Sequence, residues 1–403
     1  MKTIFFFVFF VSLFILVLGL IEVLLLRVLN KVWWKKKVVR RLALSLPLVG
    51  VAGFVVFAAG EFYRIPWLAV PASVVAAMAF ILEVCLMLSL PVSGAIHLVD
   101  HWVHRLTRHW APGRGEPPDR RRRLFLKGVA MAVPLGTIGM GVFGVGRSFV
   151  SANVYLRRIA MDNLPDDLVG LRILHLSDLH LAHYVTLDDL VTVLQKAQEF
   201  QPDVVLVTGD VADDLAQLPG ALGLIAESGT PMGCYASLGN HEHFRGLTQV
   251  RRTFDGSPVP LLVNEAVRLP VGEASVIIAG IDDPRLMEGG DAGFYTRCLD
   301  LALSETRDGD VTVLMSHRPA VFDYAAARGV HLTLAGHTHG AQIGLFGRSL
   351  LESYFPRQYL WGHYRTAASH LYTSSGVGHW FPFRLGCPPE APVLELVRSQ
   401  GSR

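Results

Sequence analysis

Four apolar stretches, each long enough to cross about 30 Å of hydrocarbon, occupy the first 146 residues of this 403-residue chain. They run over 4–26, 42–60, 65–90 and 128–146, the last richer in Gly and Ala than the others. A chain inside lipid must satisfy every backbone N–H and C=O within itself. Residues 1–150 are therefore predicted to form an all-α transmembrane bundle of about four helices. The pattern changes completely after residue 150, where short β-branched runs alternate with polar, Gly-rich segments.

Charge follows the same boundary. Residues 1–159 carry 20 Lys+Arg and 6 Asp+Glu, a balance of +14; residues 160–403 carry 17 and 28, a balance of −11. The basic residues lie in alternate loops. Arg27, Lys31, Lys35, Lys36, Lys37, Arg40 and Arg41 separate the first two spans; Arg105, Arg108, Arg114, Arg120, Arg121, Arg122, Arg123 and Lys127 separate the last two. The turn between the second and third spans has only Arg64. The positive-inside rule puts both basic loops in the cytoplasm and everything after the fourth span outside it. The linker from His97 to Arg123 reads as a loop, because it contains Pro112-Gly113 and Pro117-Pro118. Glu22 and Glu83 fall inside spans, where ionisable groups point to a helix partner or a function.

The run Arg122-Arg123-Leu-Phe125-Leu126-Lys127 has two readings: a twin-arginine export signal followed by a weakly apolar stretch, or a charge anchor for the fourth span. It departs from the usual signal in having Arg121 before the pair and in lying behind three other spans. Val150-Ser-Ala152 offers a weak cleavage site.

The acidic second half lacks the basic stripe of a nucleic-acid binder. It alternates strands and helices. Strands are predicted at 171–176, 204–207, 235–238, 275–279, 311–315, 331–334, 371–374 and 393–397, and a helix beginning at Thr186 with Asp189 three residues on. Such alternation gives sheets covered by helices, with ligands beyond the carboxyl ends of the strands. Cys85 lies in a span; Cys234, Cys298 and Cys387 show no zinc spacing, and a disulfide among them is left open.

Five blocks end or follow these strands: Asp178-Leu-His180, Gly209-Asp210-Val-Ala-Asp213, Gly239-Asn240-His241-Glu242, Ser316-His317-Arg318-Pro319 and Gly336-His337-Thr338-His339. Each is weak alone. Together they place oxygen and imidazole donors, without thiolate, where strand ends converge, and that inventory suits two divalent metals.

This series resembles the calcineurin-like metallophosphoesterases, whose pattern is Asp-x-His, Gly-Asp-x-x-Asp, Gly-Asn-His-Asp/Glu, His, Gly-His-x-His. The resemblance covers about residues 170–397. Gly340-Ala-Gln342 and Leu371-Tyr372-Thr-Ser-Ser-Gly376-Val-Gly378 are similar to the membrane-anchored bacterial YkuE-like phosphodiesterase branch. The resemblance implies a four-layer αββα sandwich over 160–400 and a site for two divalent ions, with manganese, iron and zinc all compatible. It implies that Asp178, His180 and His339 hold one ion and Asn240, His317 and His337 the other. Asp210 bridges them, giving one oxygen to each. It makes His241 a phosphate contact and proton donor to the leaving group. Asp213 and Glu242 orient His241 or a ligand imidazole, or are exposed loop carboxylates. Arg245 and Arg318 bind phosphate or lie on the surface.

The expected reaction is hydrolysis of a phosphoester by a metal-bridging hydroxide, at the bacterial inner membrane, with the catalytic domain extracytoplasmic. Ile343-Gly-Leu345-Phe346, Leu350-Leu351, Tyr354-Phe355, Tyr359-Leu360-Trp361 and Trp380-Phe381-Pro-Phe383 are either core or a lipid-facing rim. The rim reading suggests a lipid or cell-envelope phosphoester. The alternatives are a pyrophosphohydrolase of a nucleotide-linked lipid precursor, and a non-catalytic membrane receptor or scaffold on this fold.

Overall fold

The computed structural model describes every residue except 1, 64, 111–119, 183, 286–289, 367–368 and 400–403. Arg64, Arg114 and the pairs Pro112-Gly113 and Pro117-Pro118 thus lie outside the described residues. The chain divides into two compact units. One comprises Met1–Gly146 and Phe381–Phe383, the other Arg147–Trp380 and Arg384–Arg403.

The first unit is helical: α1 (Lys2–Val28), α2 (Lys31–Trp34), α3 (Lys37–Phe62), α4 (Pro66–Trp110) and α5 (Arg120–Ser148). All but α2 contain a stretch long and apolar enough to cross a membrane: Val8–Val28, Lys37–Phe62, Trp67–Val103 and Leu124–Ser148. Small residues bring α3 against α4. A Cβ on Gly60 would lie 2.9 Å from Ala69, and one on Gly53 would lie 3.0 Å from the backbone of Ala76. Close backbone approach of this kind substitutes for a hydrophobic driving force in lipid. Asn30 donates to the Leu90 carbonyl (3.0 Å) and accepts from Ser93 (3.2 Å), pinning the end of α1 to α4. Glu22 and Glu83 are both buried.

The expected loop from His97 to Arg123 is mostly helix. Residues 97–110 continue α4, and α5 already begins at Arg120. No Pro or Gly interrupts 97–110, so nothing in that sequence stops a helix once started.

The second unit carries two large sheets. The first has the order β1-β13-β2-β3-β4, with β1 (Asn153–Met161), β2 (Arg172–Leu176), β3 (Val204–Thr208), β4 (Cys234–Ser237) and β13 (Glu390–Arg398). The second has the order β11-β12-β8-β7-β6-β5, with β5 (Glu265–Val271), β6 (Ala274–Gly280), β7 (Val311–Met315), β8 (Leu332–Ala335), β11 (Gly362–Thr366) and β12 (Ser369–Thr373). A small hairpin pairs β9 (Gly344–Leu345) with β10 (Arg348–Ser349). β1 starts ahead of the expected domain start at 160 and pairs in parallel with β13.

Three core clusters define the layers. Ile173, Val204, Leu206, Val276, Ile278, Val313, Leu332 and Leu334 meet between the sheets. Leu174, Leu176, Val205 and Val207 face the other way, against α6 (Leu187–Gln198), α7 (Leu218–Ala226) and α8 (Asn240–Asp255). Ala279 and Leu314 pack against α9 (Ala292–Ala302) and α10 (Phe322–Ala326). The result is the expected αββα sandwich. Strands buried on both faces explain the unbroken Val/Leu/Ile runs in the sequence. The helix expected at Thr186 starts there, with reciprocal Thr186–Asp189 capping bonds.

Candidate metal centre

The parallel strands β2, β3, β4, β7 and β8 all end on one side, and the polar blocks begin where they stop. The chain turns sharply there. Asp178 (φ 51°), His180 (47°), Asp210 (53°), His337 (69°) and His339 (48°) all adopt left-handed backbone conformations. Non-glycine residues rarely do so, and such strain concentrates at functional sites. Backbone bonds fix the turns: Asp178 N–H donates to Gly209 O (3.1 Å), and His180 N–H to Asp210 O (2.9 Å).

Two groups of donor atoms result. In the first, His339 Nε2 lies 3.4 Å from Asp178 Oδ1 and 3.3 Å from His180 Nε2. In the second, His317 Nε2 lies 3.0 Å from Asn240 Oδ1, 3.1 Å from His337 Nδ1 and 3.2 Å from Asp210 Oδ2. Asp210 stands between the groups, its Oδ2 also 3.7 Å from His180 Nε2. One carboxylate oxygen thus faces both groups. The other, Oδ1, accepts the His241 N–H at 2.9 Å, so the expected one-oxygen-each arrangement is not what the side chain adopts.

These spacings fit divalent ions. Donors bound at about 2.0–2.1 Å with angles between octahedral and tetrahedral lie about 2.9–3.4 Å from one another. The outer nitrogens agree. His180 Nδ1 meets Asp213 Oδ2 (3.2 Å), His317 Nδ1 meets Thr208 O (2.8 Å) and His339 Nδ1 meets Ser375 O (3.2 Å). His180 and His317 thus have an acceptor for the outer nitrogen, which turns Nε2 to the centre; His339 Nδ1 also lies 3.3 Å from Arg384 Nη2, an obligate donor. His337 is the exception. It presents Nδ1, and its Nε2 meets Arg318 Nη1, an obligate donor, at 3.1 Å.

Charge is arranged accordingly. Burial alone would push His317 down, but the Asp210 carboxylate beside it, with Asp178 and Asp283, holds it up at about 10. Asp213 is held well below the usual carboxylate range: burial opposes this, but its bonds to His180 and His241 outweigh it.

Residues 171–341 match the calcineurin-like phosphoesterase family. The metallophosphoesterase YkuE of Bacillus subtilis (strain 168) is 30% identical over 68% of this chain and 97% of its own length. This chain belongs to the calcineurin-like metallophosphoesterases. It is a phosphoester hydrolase. A metallophosphoesterase of Aquifex aeolicus (strain VF5) is 29% identical over 58% of this chain and 87% of that one. The transmembrane protein with metallophosphoesterase domain of Bos taurus is 28% identical over 71% of this chain and 66% of that one.

Around the donor groups this metallophosphoesterase uses residues that the motifs only partly flag. Asp213 is partly buried: one oxygen takes His180 and the other makes a very short bond to His241 Nδ1, so it orients both rings. Glu242 touches no imidazole. Its carboxylate accepts the backbone N–H groups of Gly239 (2.8 Å), Asp210 (2.9 Å) and Val211 (2.8 Å), and so fixes the turn that carries Asp210. Arg245 is exposed and pairs with Asp213 at 3.2 Å. Arg318 is not on the surface: it is buried and bound by Asp283 at 2.8 Å.

Two glycines of the motifs exist for clearance. A Cβ on Gly336 would fall 2.1 Å from Asp178 Oδ2, and one on Gly239 would fall 2.2 Å from Asp210 Oδ1. Asp178 also receives the Ser177 hydroxyl (2.5 Å) and the His337 N–H. Behind His339, the fully buried Arg384 donates to Ser375 O (2.7 Å) and Gly378 O (2.5 Å). Glu390 accepts the Ser375 N–H at 3.0 Å. Asp283, Arg384 and Glu390 have no sequence signature, because single charged residues far along the chain look like surface until the fold buries them. All four cysteines are free.

Proposed function

We propose that this chain is a membrane-anchored two-metal phosphohydrolase acting on a lipid or cell-envelope phosphoester. The observation that carries this reading is the convergence of seven donor side chains at 3.0–3.8 Å separations. Asp178, His180 and His339 would hold one divalent ion, and Asn240, His317 and His337 the other, with Asp210 shared; manganese, iron and zinc all suit this set. Bound ions supply neutralisation of phosphate charge and activation of the attacking water.

The protein's own groups do the rest. Asp213 accepts Nδ1–H of His241, so the ring's Nε2 faces outward beside Asp210 Oδ2 (3.9 Å). A protonated Nε2 there can contact a phosphate oxygen and hand its proton to the departing alkoxide. The Asp213 carboxylate also holds His180, so proton donor and ion position move together.

Topology completes the proposal. Residues 1–150 form the membrane region and the chain from β1 onward the catalytic domain, in the inner membrane of a bacterium. The catalytic side is extracytoplasmic, by the charge asymmetry of the loops. The paired arginines Arg122 and Arg123 keep their two readings, an export signal that would carry folded domain and ions across together or a charge anchor for the fourth span. Exported hydrolases of this kind meet lipid and envelope esters rather than cytoplasmic nucleotides.

The test is a manganese-supplemented hydrolysis screen over phosphomonoesters and diesters, lipids included, with Asp210→Asn as control. Cleavage lost in the variant supports the reading; cleavage equal in both preparations contradicts it. A fusion reporter after residue 160 checks the side of the membrane, and a cytoplasmic signal would favour a nucleotide-linked lipid pyrophosphate instead.

A further inference from the structure

The segment after His339 breaks the polarity of the acidic unit around it. Phe346 follows His339 by seven residues and sits at the tip of the β9–β10 hairpin, 95% exposed. Tyr354 is 76% exposed, and Leu345, Leu350 and Phe355 are each more than half exposed. Five large apolar side chains stand in solvent within eleven residues of chain. Scattered exposed apolar residues are ordinary; five so close together in one short segment are not.

The segment is held in shape. Leu345 pairs with Arg348, Leu350 N–H donates to Ile343 O (3.0 Å), and the N–H groups of Tyr354 and Phe355 donate to Leu351 O (3.0 and 3.2 Å). Its charges are one-sided. Between residues 343 and 358 the sole carboxylate is Glu352. It is turned inward, accepting from Tyr364 Oη (2.7 Å) and Leu360 N–H (3.2 Å). Arg348 and Arg357 are exposed. An apolar-and-basic island on a unit whose residues 160–403 balance at −11 is the wrong surface for water and the right one for anionic headgroups over acyl chains.

We infer that the hairpin and following turns, residues 344–357, insert into the surface of an anionic bilayer and bring the metal centre to phosphoesters at the headgroup level. The occupant is a lipid surface, because the chain's own apolar helices keep this unit at a bilayer. The inference rests on the membrane-anchored reading above. The hairpin follows the turn His339–Gln342 directly in the chain.

The experiment uses the full chain in proteoliposomes containing anionic lipid. A nitroxide is placed at Phe346→Cys and, as control, at Glu273→Cys in the exposed turn between β5 and β6; the signal of the unsubstituted labelled chain is subtracted. Collision with oxygen and with a water-soluble nickel chelate reports depth. The expected result is a several-fold rise in the oxygen-to-nickel ratio at 346 over 273. Equal ratios would overturn the inference. Spin–spin broadening at 346 that vanishes on dilution with unlabelled chain would assign the surface to a second copy, and overturn it too. Hydrolysis of a soluble phosphodiester by the same vesicles reports the catalytic reading separately, so either can fail alone.

Discussion

Nδ1 of His180 lies 3.2 Å from Oδ2 of Asp213. That bond selects the tautomer of His180 and aims its Nε2 at the donor groups, while the opposite oxygen of the same carboxylate holds His241. Asp213→Ala should therefore weaken ion binding by roughly 10–100-fold, the usual cost of losing such an orienting partner, and lower kcat beyond that. Titration calorimetry alongside steady-state kinetics separates the two. Unchanged ion affinity would mean that His180 is oriented by something else.

Asp210 faces both donor groups. Asp210→Asn should reduce bound metal at both positions and lower kcat by on the order of 10²–10³-fold or more, the scale of losing one well-placed electrostatic group. Elemental analysis of the purified variant gives the stoichiometry. Two ions per chain retained in the variant would contradict the shared role.

Gly336 has no room for a side chain. Its Cβ would collide with Ser177 Oγ (1.9 Å) and Asp178 Oδ2 (2.1 Å). Gly336→Ala should leave the sandwich folded, by circular dichroism, but displace Asp178 and empty the Asp178–His180–His339 position first. Full occupancy of that position would show that the carboxylate does not need its present place.

Glu242 accepts three buried backbone N–H groups. Glu242→Ala strands all three and should destabilise the domain by roughly 2–4 kcal/mol, given about 1–3 kcal/mol for a buried group left without a partner and partial relief by entering water. Thermal unfolding of wild type and variant under the same conditions measures it. A shift in Tm near zero would mean the turn is held by other bonds.

His175 is fully buried between the sheets, bonded through Nε2 to Thr208 Oγ1 at 2.9 Å. Burial pushes it down to about 3. Its folded value lies below the unfolded value of about 6.5, so the unfolded chain binds a proton that the folded chain refuses. The stability this group permits is complete above about pH 6.5 and declines as pH falls towards 3, by at most about 1.4 kcal/mol per pH unit. His175→Gln should flatten that acid limb. Identical slopes in denaturant unfolding from pH 7 to 4 would exclude His175 as a source.

Much of the fold was legible in the residues. Long apolar stretches permit little besides helices. Runs such as Val204–Val207, apolar at every position, announce strands buried on both faces. The five polar blocks could be placed at strand ends because each follows such a run. Two readings failed for a shared reason. Residues 97–110 looked like loop from nearby Pro and Gly, and Glu242 looked like a partner for imidazole from its place beside His241. Neighbours in sequence are a poor guide once a helix carries on, or a side chain folds back onto its own turn.

The amino-acid order by itself determined which elements form and which side chains are available, since both depend on local periodicity and residue chemistry. Only the tertiary structure decided how the donors divide. It set His317 beside Asn240 and His337, put one oxygen of Asp210 between the two groups, and buried Asp283, Arg384 and Glu390 behind them. Those relations join residues up to 159 positions apart, as His180 and His339 are. No local pattern records them, because they come from packing two sheets so that their strands end at one edge.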